Sequence, residues 1–213
     1  MMIIMLSFAK HDGYTACRQS FSSQFFGGRM RYPPEETAEK HARILEQASI
    51  LFREHGFSGV SLSEIMKATG LTHGAFYHHF ESKEDLIAKC IEDTSGKALE
   101  SMRQGTARGE SRAQYLDGYL TEQHRDERGN GCMMAGLAGE IARQPAAQPP
   151  FTRHVEGMLE RFVESDAKAR KKHARRDAIH ILSSIVGALV LARAVDDPEL
   201  SQEILRETRA ALD

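Results

Sequence analysis

Between Gly56 and Ser82 the chain carries two helix-stopping glycines, Gly56 and Gly70, and three hydroxyl residues placed to start helices, Ser61, Thr72 and Ser82. Stops and starts this close together leave room only for short helices joined by tight turns. Upstream, Ile44, Leu45, Ala48, Leu51 and Phe52 fall on one stripe of a first helix. Gly56 ends it as a left-handed residue would, with Phe57 placed to fold back over the last turn. Ser61-Leu62-Ser63-Glu64 has the spacing of a capping box, in which the serine oxygen takes an orphan N–H and the glutamate reaches back. It predicts a helix over 62–69 with Leu62, Ile65 and Met66 inward. Gly70 breaks that helix, and Thr72 opens another of about two turns. Ser82-Lys83-Glu84-Asp85 repeats the capping logic for a fourth helix running to about Gln104. Two short capped helices around a glycine turn are the signature of a helix-turn-helix, here about 61–80, whose second helix can enter the major groove.

That second helix lies in "GLTHGAFYHHF", which holds no acidic residue. At 100° per residue Phe76 and Phe80 share an inward face with Leu71, while Gly74, Ala75 and His78 lie opposite and His73 sits at the exposed start. Three histidines raise a zinc reading, but spacings of i, i+5 and i+6 do not converge on one face as i, i+4 does. A catalytic histidine would need a carboxylate or nucleophile, and the nearest acid, Glu81, follows the helix. A DNA surface uses more of the pattern. Thr72 and His73 can hydrogen-bond at the helix start, Gly74 permits close backbone approach, and the Ala75 methyl can meet a thymine methyl. Tyr77, His79 and Lys83 reach for phosphate oxygens, and Ser61 offers another phosphate its hydroxyl and local N–H groups. Against this, residues 35–92 hold ten acids and six Lys or Arg. The acids lie mostly on the first and fourth helices, so Lys67, Lys83 and the acid-free helix form one neutral-to-positive side, to which Arg29 and Arg31 can add an arm.

The 213 residues, 41% hydrophobic, can form one domain or two small ones. The formal charge of −2 gives no global sign of a nucleic-acid partner. No apolar run approaches the roughly 20 residues of a membrane span, and MMIIMLSFAK lacks the features of a secretory signal. Cys17, Cys90 and Cys132 are odd in number and unpaired by motif, which suits a reducing compartment. A cytoplasmic protein with no membrane partner, metal or cofactor is expected. Residues 1–34 show no sustained period and end in Tyr32-Pro33-Pro34, so they are expected to be a disordered arm, or a mis-assigned start with Met30 the true one. Beyond the head, helices are expected at about 109–125, 132–143, 150–170, 174–195 and 198–212, divided by Gly129-Asn130-Gly131, Pro145 to Pro150, the basic run Lys168 to Arg176, and Asp197-Pro198. No strand pattern is found, and the expected fold is all-α: a three-helix DNA-binding head over 38–98 and a larger helical body over 99–213.

"ILEQASILFREHGFSGVSLSEIMKATGLTHGAFYHHFESKEDL", Ile44 to Leu86, closely resembles the DNA-binding head of the TetR family of bacterial transcriptional regulators. The resemblance implies a homodimer, usually a repressor, that binds a palindromic double-stranded operator and releases it when a small-molecule inducer enters the C-terminal body. The family's base-reading places fall on His73, Gly74 and Ala75, and its phosphate-contacting places on Thr72, Tyr77, His79 and Lys83. Position 73, often lysine in the family, is histidine here.

The penultimate helix, from Ala178, is apolar nearly all round and so needs cover on two sides. Ser184, Gly187, Ala188 and Leu191 suit close approach of a second subunit, completed by Leu205, Thr208 and Leu212 of the last helix; the family uses these two helices in a four-helix dimer interface. A ligand cavity would draw on adaptable side chains, and Met102, Tyr115, Tyr119, Met133, Met134, Met158, Phe162 and His180 are the candidates. Cys132, near a helix N-terminus, is a candidate sensor of oxidants or electrophiles, and a redox-responsive regulator is an alternative. No nucleophile elbow, H-E-x-x-H, P-loop or paired-carboxylate motif supports an enzyme, and the acidic head keeps a helical oligomeric interaction protein without DNA binding as a further alternative.

Overall fold

In the computed structural model, residues 34–165 and 173–212 are described, and they fall in one compact unit. The expectations for residues 1–33, including the arm with Arg29 and Arg31, and for Lys168–Lys172 of the basic run lie outside them. The described residues form helices and turns with no strand, giving the expected all-α class.

The head comprises α1 (Pro34–His55), α2 (Leu62–Ala68), α3 (His73–Phe76) and the start of α4 (Lys83–Ala107). Pro34 opens α1, where its missing N–H costs nothing. Gly56 has φ 75 and Gly70 φ 69, so both stops are left-handed as the sequence requires. The Ser61 capping box is complete, with Oγ accepting from the Glu64 N–H and the Glu64 carboxylate accepting from the Ser61 N–H. Ser82 caps α4 through the Asp85 N–H at 3.1 Å. One expectation fails here: α3 is a single helical turn, and residues 77–79 continue as turn rather than helix. Thr72 makes no side-chain cap bond, which leaves the short helix without the stabilisation given to α2 and α4.

The body continues with α5 (Arg112–Tyr119), α6 (Glu122–Asp126), α7 (Met133–Ile141), α8 (Gln148–Ser165), α9 (Ala174–Ala194) and α10 (Pro198–Ala210). The helix expected over 109–125 is therefore two, because Thr121 turns its hydroxyl to the His124 N–H and starts a new helix. The α9 helix is long and apolar enough to cross a membrane, which corrects the expectation that no segment approaches that length. Its inner residues Ile181, Leu182, Ile185 and Leu189 nevertheless belong to a packed protein core with α8 and α10.

Buried residues make two clusters. One gathers α1 to α4 around Ile44, Phe52, Ile65, Phe76 and Leu86, each at most 1% exposed. It also takes in Met133, Leu137 and Ile141 of α7, an element the sequence assigns to the body. The other joins α5, α8, α9 and α10 with Met134 from the same helix. At about 1.5–3 kcal/mol per large apolar side chain, this sharing makes α7 a structural tie between head and body.

Candidate nucleic-acid interface and internal cavity

The α2–α3 turn is held by backbone bonds from Thr69 N–H to Ile65 O, Gly70 N–H to Lys67 O and Leu71 N–H to Met66 O. Below it Phe76 and Phe80 stack at 5.5 Å, and His41 of α1 stacks on Phe80 at 4.6 Å. This frame leaves Thr72, His73, Gly74, Tyr77 and His78 exposed on one side, with Tyr77 at 61%. A Cβ on Gly74 would meet nothing of its own chain, so no packing inside the protein demands glycine there. Ser61 is also exposed on this face.

Three expected contacts are placed differently from the open surface positions the sequence implies. Ala75 is half-buried against the head core, because a helix of one turn holds it close to Phe76. His79 is half-buried beside His41, ring centroids 5.9 Å apart, and burial followed by the His41 charge lowers its pKa. Lys83 turns inward: its ammonium donates to the carbonyls of Phe57 and Val60 and lies 5.9 Å over the Phe52 ring. The loop after α1 has orphan carbonyls that need a donor, and Lys83 is that donor. The same loop receives Glu140 from α7, whose carboxylate accepts from the Phe57 N–H at 2.8 Å.

A cavity of about 530 Å³ lies against α1, α4, α5, α7 and α8, within the usual range for small-molecule sites. Six expected residues line it: Met102, Tyr115, Tyr119, Met133, Met134 and Met158. Two do not. Phe162 packs edge-on to Tyr115 at 5.6 Å in the second core, and His180 is exposed on α9, whose inward stripe is taken by Ile181, Leu182 and Ile185. The sequence reading missed the polar lining: Arg53 of α1, Thr94 of α4, His124, His154, and Cys132 as cavity wall. Arg53 carried no signal beyond its place on α1, because nothing local reveals that α7 packs there.

Each polar group has a definite setting. His124 Nδ1 lies 2.7 Å from the Tyr119 carbonyl and its Nε2 is 3.0 Å from the Cys132 N–H. A carbonyl only accepts and an N–H only donates, so the ring is neutral with its proton on Nδ1. Burial lowers its pKa accordingly. His154 is 3% exposed, 3.1 Å from the Ser95 hydroxyl, and burial lowers its pKa to about 4. The Tyr119 hydroxyl is buried without a hydrogen-bond partner, and burial raises its pKa well above the usual phenol value, followed by the neighbouring Cys132 thiol. Cys132 is half-buried and free, whereas burial pushes Cys90 up to about 12.

Residues 44–90 match the family described as bacterial regulatory proteins, tetR family. The head belongs to the TetR family. The HTH-type transcriptional regulator AcrR of Shigella flexneri is 44% identical over 62 residues, which are 29% of this chain and 29% of that protein. The curated relatives are thus matched over about a third of their length, and the likeness in sequence is one of heads. Solved structures extend the likeness to the body. A TetR transcriptional regulator from Chloroflexus aurantiacus J-10-FL is 27% identical with TM-score 0.69, over 84% of this chain and 94% of that one. The reduced form of Escherichia coli NemR, 21% identical, shares the fold with TM-score 0.70 over 82% and 95%.

The end of the body bears an uncovered apolar face. Ile179, Val190 and Leu191 of α9 are 47%, 41% and 56% exposed, and Leu200 of α10 is 41% exposed. Of the expected interface residues, Leu191 is exposed and Ser184, Gly187 and Thr208 are half-buried. Ala188, Leu205 and Leu212 are instead buried in their own core at 5%, 3% and 8%. A helix apolar all round does not reveal its phase, so the sequence does not single out Ile179 and Val190 as exposed.

Proposed function

We propose that the protein is a cytoplasmic, ligand-responsive transcriptional regulator, a repressor that binds a palindromic operator as a homodimer. The observation that carries this is the exposed, acid-free stretch from Gly70 to Phe80 that follows α2 and contains α3, in which Gly74 answers to no neighbour in its own chain. Thr72, His73, Gly74 and Ala75 are assigned to the bases and sugar-phosphate edge, Tyr77, His79 and Ser61 to phosphates. Lys83 is assigned to the same contact only if its ammonium leaves the Phe57 and Val60 carbonyls; its resting role is structural. The α9–α10 face is assigned to the second subunit, since an apolar patch of this kind on a soluble regulator marks an interface. Paired recognition helices must then lie about 34–36 Å apart to enter successive major grooves.

An inducer in the cavity would act by favouring one head position over another, since a ligand shifts an equilibrium only by its differential affinity. The cavity wall includes α1 itself, so a bound molecule needs no long relay to reach the head. Selection from random double-stranded DNA tests the reading. The expected product is a palindrome bound by dimer, with Tyr77→Ala, which removes an uncharged phosphate contact, reducing affinity across all sequences while leaving the salt slope nearly unchanged. Dimeric protein that enriches no palindrome would sink it.

A further inference from the structure

Arg53 presents a guanidinium to the cavity without a carboxylate to match it. Its Nε donates to the Gly129 carbonyl at 2.5 Å and its Nη1 to the Thr94 hydroxyl at 3.3 Å, and among the described residues no acid lies within ion-pair distance. Of the two acids on the wall, Asp93 is taken by Lys97 at 2.6 Å and Glu46 is exposed. Arg53 is half-buried, and burial is the first cause lowering its pKa, opposed by the neighbouring thiols and by the charges of Glu54 and Asp93. The same cavity holds the Tyr119 hydroxyl, 7% exposed, which makes no well-formed hydrogen bond and has only the weakly bonding Cys132 thiol beside it. Between them the wall is apolar and pliable, with Met102, Met134 and Met158.

We infer that the cavity takes an apolar monocarboxylic acid, its carboxylate on Arg53, its body among the methionines, and the Tyr119 hydroxyl donating to a polar atom of the ligand. A carboxylate suits the forked donors of arginine, and a charge-assisted bond in a desolvated site is among the stronger polar contacts available. A cationic ligand would meet Arg53 with no free buried acid to oppose it. The assignment rests on the reading of the cavity as an effector site and gives that site its chemistry. It also places the anchor on α1, so ligand charge is neutralised by the head's own helix.

Calorimetric titration of the full chain with 2-naphthoate and decanoate, each beside its neutral amide, tests this at neutral pH. The acids are expected to bind at least tenfold tighter than their amides. Arg53→Met should erase that preference, Arg53→Lys should retain part of it, and Tyr119→Phe should weaken the acids severalfold. The comparison within the unaltered protein decides the matter even if a variant fails to fold. Acids binding no tighter than amides, no saturable binding by either acid, or a preference that survives in folded Arg53→Met would each overturn the assignment. DNA is absent from the readout: protein that prefers acids but selects no operator keeps the acid site and loses the regulator reading, and the reverse outcome removes the acid site alone.

Discussion

His154 makes stability fall with acid by an amount that can be worked out. It is 3% exposed, and its pKa is lowered by burial to about 4. An unfolded histidine titrates near about 6.5, so the depression is about 2.5 units, or about 3 kcal/mol. Because the folded value is depressed, the unfolded chain binds the proton first as pH falls. Stability is therefore full above the unfolded pKa, declines by up to about 1.4 kcal/mol per unit below it, and levels off beneath about pH 4. Against a total of about 5–15 kcal/mol for a typical domain this is a large share. Urea unfolding followed by far-ultraviolet circular dichroism, at fixed protein concentration because a dimer's stability depends on it, measures the effect. His154→Leu removes the titration while filling the site. Other groups titrate too, among them His41, His79 and His124, all lowered first by burial, but they cancel in the difference between the two proteins. That difference should change by about 2–3 kcal/mol between about pH 7.5 and about pH 4.5, with the native protein losing more. A difference that stays constant across that range would show that His154 is hydrated or protonated in the folded state and would refute the argument.

Three further outcomes follow from contacts already described. Lys83→Met should lower stability by about 1.5–3 kcal/mol, the loss of a charged donor to two loop carbonyls, and a fall in operator affinity at unchanged urea midpoint would instead place its ammonium on phosphate. Gly56→Ala should cost at least about 1 kcal/mol for its positive φ. The Glu140 carboxylate, which the new methyl would meet, must also move, so Glu140→Ala in the same chain should recover part of the loss in thermal unfolding. Leu191→Glu, at a site 56% exposed in the single chain, should leave the helical spectrum intact and shift sedimentation from dimer to monomer; an unchanged dimer would move the interface off α9.

The head was legible because its information is local. Capping boxes, left-handed glycines and the four-residue turn between α2 and α3 act over neighbours in the chain, and the Ser61–Glu64 pair or the Gly56 and Gly70 dihedrals follow from residue type alone. The length of α3 differs from the expectation because Thr72 reads as a cap by residue type, yet in the structure its side chain makes no cap bond and the helix closes after one turn. The apolar half of the cavity was also legible, because methionine and tyrosine at helical spacing are scarce enough to stand out. Its polar half was not. Arg53, His124 and His154 acquire their settings from partners 76, 8 and 59 residues away, and no periodicity encodes such pairings. The inward turn of Lys83 is the same kind of fact, decided by carbonyls 26 and 23 residues upstream.

The helix α7 explains why the proposed DNA-reading and sensing functions need not be separated by the long fourth helix. Its side chains enter both cores, Met133, Leu137 and Ile141 facing the head and Met134 the body. Its Glu140 holds the loop after α1, and the loop just before it supplies the Gly129 carbonyl to Arg53. Cys132 opens α7 on the cavity wall. A molecule filling the cavity, as proposed, would press on the N-terminal end of a helix whose other end holds the loop that Lys83 also binds, between α1 and α2. Packed side chains resist small displacements and transmit them, so a shift of α7 would reach the recognition face through three hydrogen bonds, Glu140 to Phe57, and Lys83 to Phe57 and to Val60. If that route carries the signal, Glu140→Gln, which keeps the size but weakens the bond to the Phe57 N–H, should reduce the ligand's effect on operator affinity while leaving ligand affinity itself nearly unchanged. Unaltered coupling in a folded Glu140→Gln protein would assign the signal to α4 instead.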